Sequence, residues 1–203
     1  MARIGRYQPL KALGQLISHS STYRWASTSP FTHVTAKGHI NMVDIGQKAV
    51  TSRTAAAEAT LHFPPSMAKL VWPTPQEDYS LETVASKKGP VWSSATMSAI
   101  LAAKATPSIL PLCHPINLDR VSIAQVSGTA TEAGGVRIVI RATVQCTGKT
   151  GVEMEALAAV QGASLAVYDM VKAISHELCI EDVRVVHKAG GKRHVQLSSA
   201  PSP

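Results

Sequence analysis

The chain has 203 residues, a hydrophobic content of 45% and a formal net charge of +7. This length and composition support one domain with a buried core plus flanking segments, and no apolar run reaches the roughly 18 residues of a membrane span. The three cysteines are widely spaced and lack a C-x-x-C pair. Neither a disulfide framework nor a zinc ribbon is therefore supported, and a reducing compartment is the simplest interpretation.

Residues 1–30 differ from the rest of the chain in charge. They contain four basic residues and no acidic residue, and the first acidic residue of the chain is Asp44. A leader rich in Arg and Ser, with leucines at helical spacing, is typical of a mitochondrial transit peptide. We therefore predict a leader over 1–30 and a location in the mitochondrial matrix. The alternative is an unstructured leader on a cytoplasmic protein.

Hydrophobic periodicity predicts strands and helices over the rest of the chain. The predicted strands are 54–63, 121–126, 136–146 and 180–186, and the predicted helices are 92–105 and 147–175. A Gly-Gly turn between the second and third strands makes them an antiparallel hairpin. The order strand, helix, strand, strand, helix, strand is the ferredoxin-like βαββαβ plan. In this α+β fold the helices pack on one face of an antiparallel sheet.

The predicted folded and catalytic domain covers residues 31–193. Four prolines interrupt residues 64–86, which we predict to be a surface loop that is inserted into the domain and partly mobile. A basic, glycine-rich segment ends the domain. The tail that follows, residues 194–203, is predicted to be disordered.

The stretch 147–175 is predicted to be a long buried helix that carries charges. It is apolar on most faces, so neighbouring elements should cover it. Thr150 is a candidate N-cap, with Glu153 at the capping-box spacing. Asp169 and Lys172 are either an i,i+3 surface pair or an acid and an amine that line a site.

Two acids on this helix are too far apart for one small ligand. Glu155 and Asp169 lie near one stripe of the helix but are separated by about 21 Å, at a rise of about 1.5 Å per residue. We therefore predict a symmetric interface in which two copies of the helix run antiparallel. The small residues that would permit close approach there are Ala156, Ala159, Gly162 and Ala163.

Two loops present further candidate residues. A rigid loop bracketed by Pro111 and Pro115 holds Cys113 and His114 side by side. His114 is either a structural histidine or a proton donor, and adjacent Cys and His side chains do not easily reach one metal ion, so we predict no metal site. Lys88 lies in a Lys-Lys-Gly turn that is either simply solvated or functional.

The sequence pattern argues against two function classes. The run GKT at 148–150 ends like a phosphate-binding loop, but Thr143 stands where that motif requires Gly. The hairpin strands lack the aromatic residues that stack on RNA bases. What remains is a set of charged residues that suits a phosphorylated substrate and acid–base chemistry. Its members are Arg53, Lys88, Lys104, Lys172, Lys188, Lys192, Asp44, Glu153, Glu155, Asp169 and His114.

Five motifs occur in the order NMVDIG, ILPLCHP, KTGVEMEAL, LAVYDMVKA and KAGGK. In sequence and order they resemble the MoaC family of cyclic pyranopterin monophosphate synthases, which act in molybdenum cofactor biosynthesis. The resemblance implies conversion of 3′,8-cyclo-7,8-dihydro-GTP to cyclic pyranopterin monophosphate with release of pyrophosphate, a lyase reaction without a redox cofactor. It also implies a homohexamer, arranged as a trimer of dimers, with sites at subunit interfaces. We expect no nucleic acid or membrane partner.

The resemblance also assigns roles to individual residues. It implies that Lys88, Asp169 and Lys172 are catalytic. The residues that it places at the substrate are Leu112, Cys113, His114, Met154, Glu155, Arg53 and Lys188. Two residues from the charged set, Glu153 and Lys104, complete the predicted substrate-binding residues.

The chain departs from the family pattern in the loop of the predicted catalytic lysine. The family usually has Lys-Gly-Asp-Val, whereas this chain has Pro90 in place of the Asp, which leaves the setting of Lys88 open. A non-catalytic binding subunit of the same fold is the competing hypothesis. The joint presence of Lys88, Asp169 and Lys172 argues against it.

Overall fold

The computed structural model of the protein describes residues 33–35, 38–73 and 79–197. The chain divides into two compact units, residues 1–41 and 42–203. The described part of the first unit contains an antiparallel bridge between Val34 and Ile40. The predicted leader, 1–30, lies outside the described residues and stays a prediction.

The second unit is an α+β structure built on an antiparallel sheet. Its strands are β1 (Thr51–Phe63), β2 (Ala85–Ser86), β3 (Gly89–Pro90), β4 (Arg120–Ala130), β5 (Val136–Gly148), β6 (Cys179–Ala189) and β7 (Val195–Gln196). Its helices are α1 (Ala68–Val71), which follows a 3-10 turn at Pro65–Met67, α2 (Val91–Ile109) and α3 (Glu153–Val171). The main sheet has the order β4-β5-β1-β6-β7, and β2 pairs with β3 in a separate hairpin.

The six long elements predicted from periodicity are present. The predicted hairpin is confirmed: β4 and β5 pair antiparallel around a turn in which Gly134 has a φ of 82°. The second unit's first long helix, α2, is longer than predicted and continues through Pro107 to Ile109. Within the described residues, no helix combines the length and apolar character that crossing a membrane requires.

The predicted capping box at the start of α3 is wrong. The helix begins at Glu153, its N-cap residue is Val152, and no side chain caps it. The Glu153 carboxylate instead forms an ion pair with Lys188 of β6. Thr150 belongs to the loop before the helix, because β5 extends as far as Gly148.

The core lies between one face of the sheet and the helices α2 and α3. Along β5 the side chains alternate between buried and half-buried, and the buried set runs from Val136 to Cys146. On the central strand β1, Ala55, Ala57 and Ala59 are fully buried. Small side chains at these positions allow α3 to approach β1 closely.

The small residues of α3 pack inside the chain, so their predicted use between two antiparallel copies is wrong. Ala156, Ala159 and Ala163 are fully buried in the chain's own core. A Cβ atom added at Gly162 would lie 2.6 Å from the Cβ of Ala102, so this glycine serves the contact between α3 and α2. Spacing identifies a face of small residues but not the neighbour that covers it.

The segment 64–86 is not only a surface loop, and in this respect the prediction is wrong. It contains α1 and several side chains that belong to the core. Its buried side chains include Met67, Val71, Leu81 and Val84, each at most 4% exposed. Residues 74–78 lie outside the described residues, and the assignment of the segment as an insertion stays a prediction.

The predicted disordered tail, residues 194–203, is wrong at its start. Val195 and Gln196 form β7, which pairs with Lys188 and His187 of β6. The pairing covers the last part of the β6 edge, where backbone groups would otherwise lack strand partners. The remainder of the tail, from residue 198, lies outside the described residues.

The face of the sheet opposite the helices carries a buried ion pair. Glu58 on β1 is 1% exposed, and its Oε1 accepts a hydrogen bond from Nε of Arg141 at 2.8 Å. The two residues are direct neighbours in the register of β1 and β5. On the same face of β5, Arg137 pairs with Glu181 and Asp182, whose side chains are 38% and 48% exposed. The two arginines are similarly exposed, at 36% and 29%, so it is the burial of the carboxylate partner that distinguishes the two ion pairs.

We expect Arg141→Ala to lower the free energy of unfolding by about 3 kcal/mol, because it removes a guanidinium from a carboxylate that water does not reach. The matched control is Arg137→Ala, on the same face of the same strand. It should cost less than about 1 kcal/mol, since its partners are partly solvated. Denaturant unfolding followed by circular dichroism measures both values. Equal losses in the two variants would contradict this account.

Candidate active site

The predicted catalytic residues meet at the C-terminal end of α3. Asp169 lies in the last turn of the helix and Lys172 directly follows it. The Lys172 Nζ lies 2.8 Å from Asp169 Oδ1, and the Lys88 Nζ lies 2.5 Å from Asp169 Oδ2. The i,i+3 surface pair is therefore present, but it has a third member from a distant part of the sequence. These three side chains are called the lysine–aspartate cluster.

The hairpin of β2 and β3 brings Lys88 to this cluster. Lys88 lies in the turn between the two strands, and Gly89 follows with a φ of 115°, which favours glycine. The Lys88 Nζ also donates to the backbone carbonyl oxygen of Asp169 at 3.2 Å. Pro90, where the family usually has Asp, pairs in the hairpin and serves as the N-cap residue of α2. The proline is thus compatible with contact between Lys88 and Asp169.

The two ammonium groups keep the Asp169 carboxyl ionised. Hydrogen bonds from Lys172 and then from Lys88 lower the pKa of Asp169 to about 2. The same contact raises the pKa of Lys172. Near neutral pH the carboxylate is therefore a poor proton acceptor and Lys172 is a protonated amine. Lysine in this cluster can donate a proton or stabilise negative charge.

The lysine–aspartate cluster stands at the rim of a cleft of about 450 Å³. The larger apolar residues in its lining are Leu70, Val84, Met170, Val171 and Ile174. Lys87 adds a further cation to the lining, in which Asp169 is the acidic residue. An apolar floor with a positively charged rim suits an organic ring that bears anionic groups.

A second group of charged residues lies at the N-terminal end of α3. Glu153, the first residue of the helix, forms an ion pair with Lys188 of β6. The Arg53 Nε donates to the carbonyl oxygen of Gly148 at 2.9 Å. A Cβ atom added at Gly191 would lie 3.3 Å from Arg53 Nη1 and 3.6 Å from Lys188 Cε, so both cations flank this glycine. Arg53, Glu153, Glu155 and Lys188 are called the N-terminal cluster.

Glu155 differs from the other acids of the predicted site because it is buried. It is 3% exposed, and this burial raises its pKa. The thiol of Cys113, in the loop between α2 and β4, is close enough for Glu155 to raise its pKa in addition to the larger effect of burial. Leu112 and His114, the other predicted residues of this loop, are half-buried. Among the described residues, no group of three or more His, Cys, Asp or Glu could hold a metal ion.

Two predicted substrate-binding residues lie apart from these clusters. Lys104 is exposed on α2, and in the described part of the chain it has no hydrogen bond or ion pair with either cluster. Met154 is 39% exposed and lines an apolar groove between α2 and α3. The roles assigned to these two residues stay predictions.

Lys149 has a structural contact that the sequence did not predict. Its only predicted connection was with the phosphate-binding loop motif, which the sequence does not satisfy. The Lys149 Nζ donates to the carbonyl oxygen of Gly46 at 2.7 Å, which joins the loop before β1 to the loop before α3. The Asp44 Oδ1 in turn accepts from the N–H of Gly46 at 2.7 Å. The run Lys-Thr-Gly directly before α3 is the signal that could have found this contact. The hydrogen bond from Lys149 to Gly46 places both loops beside the N-terminal cluster.

The two clusters belong to opposite ends of α3. Glu155 and Asp169 are separated by 14 residues of continuous helix, which is about 21 Å. The predicted catalytic residues therefore lie together at the C-terminal end of α3, and most predicted binding residues lie near its N-terminal end. A small ligand cannot contact both clusters of one chain.

Comparison with known proteins identifies the family. The family model described as MoaC family matches residues 42–191. The chain belongs to the MoaC family. It is 41% identical over 161 residues to "Cyclic pyranopterin monophosphate synthase" of Chloroflexus aurantiacus, an alignment that covers 79% of this chain and 90% of that protein. All predicted site residues of this MoaC family member fall within the matched range.

A second relative is much longer than this chain. The chain is 44% identical over 168 residues to "Molybdenum cofactor biosynthesis protein 1" of Drosophila melanogaster. The alignment covers 83% of the chain but only 27% of the fly protein. The chain thus spans about a quarter of the length of that relative.

We expect the pKa of Asp169 to rise when either neighbouring lysine is removed. The rise should be larger in Lys172→Met than in Lys88→Met, because the hydrogen bond from Lys172 has the larger effect. A pH titration of the Asp169 side-chain carboxyl by ¹³C NMR measures its pKa in both variants, and Lys104→Met is the control. An unchanged pKa in both variants would contradict the cluster.

The direction of the pH effect on stability follows from the lowered pKa. Asp169 has a folded-state pKa of about 2, below the ordinary aspartate value of about 3.9. The ion pairs therefore stabilise the folded protein above about pH 4, and this contribution is lost as the pH falls toward about 2.

Proposed function

We propose that this protein is a cyclic pyranopterin monophosphate synthase that acts in molybdenum cofactor biosynthesis. The reaction converts 3′,8-cyclo-7,8-dihydro-GTP to cyclic pyranopterin monophosphate with release of pyrophosphate, so the enzyme is a phosphorus–oxygen lyase. The observation that carries the proposal is the lysine–aspartate cluster at the rim of an apolar cleft in a member of the MoaC family. The bacterial relative bears the name of this enzyme.

The catalytic roles fall to Lys88, Lys172 and Asp169. Building the pterin ring requires several proton transfers, for which positioned side chains act as acids and bases. The two lysines stand beside the cleft as ammonium groups and can donate protons. Asp169, with a pKa of about 2, holds the two lysines in place and favours the protonated form of Lys172 instead of storing a proton itself.

The phosphate chemistry requires positive charge at a second position. Attack of a ribose-derived hydroxyl on the α-phosphorus forms the cyclic phosphate and breaks the bond to pyrophosphate, which leaves with the electron pair. Cations stabilise the charge that develops on the leaving oxygen. Arg53 and Lys188 are the proposed phosphate contacts. To bind the phosphate, Lys188 would leave its ion pair with Glu153. The other proposed substrate contacts are Leu112, Cys113, His114, Met154, Glu155 and Lys104.

We expect Lys172→Ala to lower kcat by about 10²–10⁴-fold, the range for loss of a general acid or base. The fold should be unaffected, because the Lys172 side chain is 46% exposed. The assay incubates the full-length protein with the cyclic dihydro-GTP intermediate and follows pyrophosphate release and the fluorescence of the oxidised pterin. Lys69→Ala, at an exposed lysine of α1, is the control. Full activity in Lys172→Ala would mean that this site assignment is wrong.

The same assay distinguishes the enzyme from a non-catalytic binding subunit. Release of both products by the wild-type protein supports the synthase. Binding of the intermediate in calorimetry, without either product, would favour the binding subunit.

We infer that the fold is ferredoxin-like. When the short elements are set aside, the chain order is β1, α2, β4, β5, α3, β6, which corresponds to the βαββαβ plan. The strand order, in which β1 lies between β5 and β6, supports this inference. The contacts of α2 and α3 with the buried face of the sheet support it as well.

We propose that the enzyme assembles as a homohexamer, a trimer of dimers, with sites formed between subunits. The separation of the two clusters by about 21 Å along α3 supports shared sites, because a substrate that contacts both clusters must use a second copy. Met97 and Leu101 on α2 and Leu165 on α3 are each more than 60% exposed. Such exposed apolar side chains are of the kind that subunit contacts cover.

We expect two inactive variants to restore activity when they assemble together. Lys172→Ala disables the lysine–aspartate cluster, and Lys188→Ala disables the N-terminal cluster. If each site combines the two clusters from different copies, a mixed dimer has one intact site, and random mixing restores about a quarter of the wild-type activity. Co-expression in equal amounts, followed by the product assay and light scattering, measures this. No recovery in mixed assemblies would contradict shared sites, and a fully active monomer would contradict the assembly.

We propose that the protein works in the mitochondrial matrix, with the cytoplasm as the alternative. The composition of residues 1–30, with basic but no acidic residues, supports this. A fluorescent fusion of the full chain, compared with one that lacks 1–30, tests it. Matrix fluorescence only with the leader present is the expected result.

A further inference from the structure

The hairpin that carries Lys88 has little support of its own. Its strands, β2 and β3, have two residues each, and an isolated two-stranded hairpin is at best marginally stable in water. The Lys88 side chain is 53% exposed, so packing does not hold it beside Asp169. Two hydrogen bonds to Asp169 hold the Lys88 Nζ, and a separate contact between the hairpin and α3 would hold the turn that carries Lys88.

The hydroxyl of Ser86 supplies this contact. Its Oγ accepts a hydrogen bond from the backbone N–H of Lys88 at 3.1 Å, and the hydroxyl donates to Sδ of Met170 at 3.9 Å. Met170 directly follows Asp169 in α3 and is only 8% exposed, so packing restricts the movement of its side chain. One hydroxyl thus joins the turn that carries Lys88 to the helical turn that carries Asp169.

We propose that Ser86 is a positioning residue that holds the Lys88 ammonium at Asp169 for catalysis. This inference rests on the proposed synthase function. A serine hydroxyl can bond the N–H two residues ahead in a turn, and the weak hydrogen bond to the Met170 sulfur orients that hydroxyl toward α3. Without it the turn can rotate relative to α3, and a small displacement of a reacting group is enough to slow a reaction strongly.

The kinetic test compares Ser86→Ala with a matched serine variant. The Ser80 Oγ accepts the N–H of Glu82 at the same distance, 3.1 Å, but Ser80 does not line the cleft. We expect Ser86→Ala to lower kcat about tenfold and to change KM by less than about twofold. Ser80→Ala should behave as the wild type, and Ser86→Thr, which keeps the hydroxyl, should restore kcat.

A second readout does not depend on activity. If Ser86 holds Lys88 in place, the pKa of Asp169 should rise in Ser86→Ala, in the same direction as in Lys88→Met but by less. The ¹³C titration of the carboxyl measures this, and thermal unfolding verifies that both serine variants are folded.

Two results would overturn the proposal. A lower kcat with an unchanged pKa of Asp169 would mean that Ser86 acts on the substrate directly and not through Lys88. An unchanged kcat together with an unchanged pKa would mean that the hydroxyl has no positioning role. If the wild-type protein shows no synthase activity, the proposed function fails, but the pKa comparison still decides whether Ser86 positions Lys88.

Discussion

The backbone contact between α2 and α3 at Gly162 is the constraint on which both charged clusters depend. A Cβ atom there would lie 2.6 Å from Ala102 Cβ and 2.8 Å from the carbonyl oxygen of Ser98, so no side chain can separate the helices. On its other side α3 packs against the alanines of β1. Because small residues on both sides hold α3 in one place, its two ends, and the charged residues at those ends, are also fixed.

The two ends of α3 give their carboxyl groups opposite electrostatic environments. Asp169 is exposed between two ammonium groups, which lower its pKa, whereas burial raises the pKa of Glu155. Carboxyl groups whose environments move their pKa values apart are suited to different steps of acid–base chemistry. Of the two, Glu155 holds a proton more readily, and Asp169 serves as a permanent negative charge for its lysines.

The sequence predicted the long elements well because their apolar periodicity is a direct consequence of burial on one face. The strand predicted over 136–146 is confirmed, and its side chains alternate between buried and half-buried. Predictions failed where the outcome depends on the choice between competing partners. Glu153 satisfies Lys188 instead of capping α3, and the small face of α3 is covered by α2 and β1 instead of by another copy.

The sequence by itself determined the family, the types of functional residue and the presence of an acid and an amine three residues apart at the end of one predicted helix. Only the tertiary structure decided which groups meet. Lys88 and Asp169 are 81 residues apart in the chain, and nothing in the local pattern of either segment specifies their contact. The structure also separated the predicted binding residues from the catalytic ones. Local periodicity reports how each segment is buried, whereas contacts between distant segments depend on the packing of the whole domain.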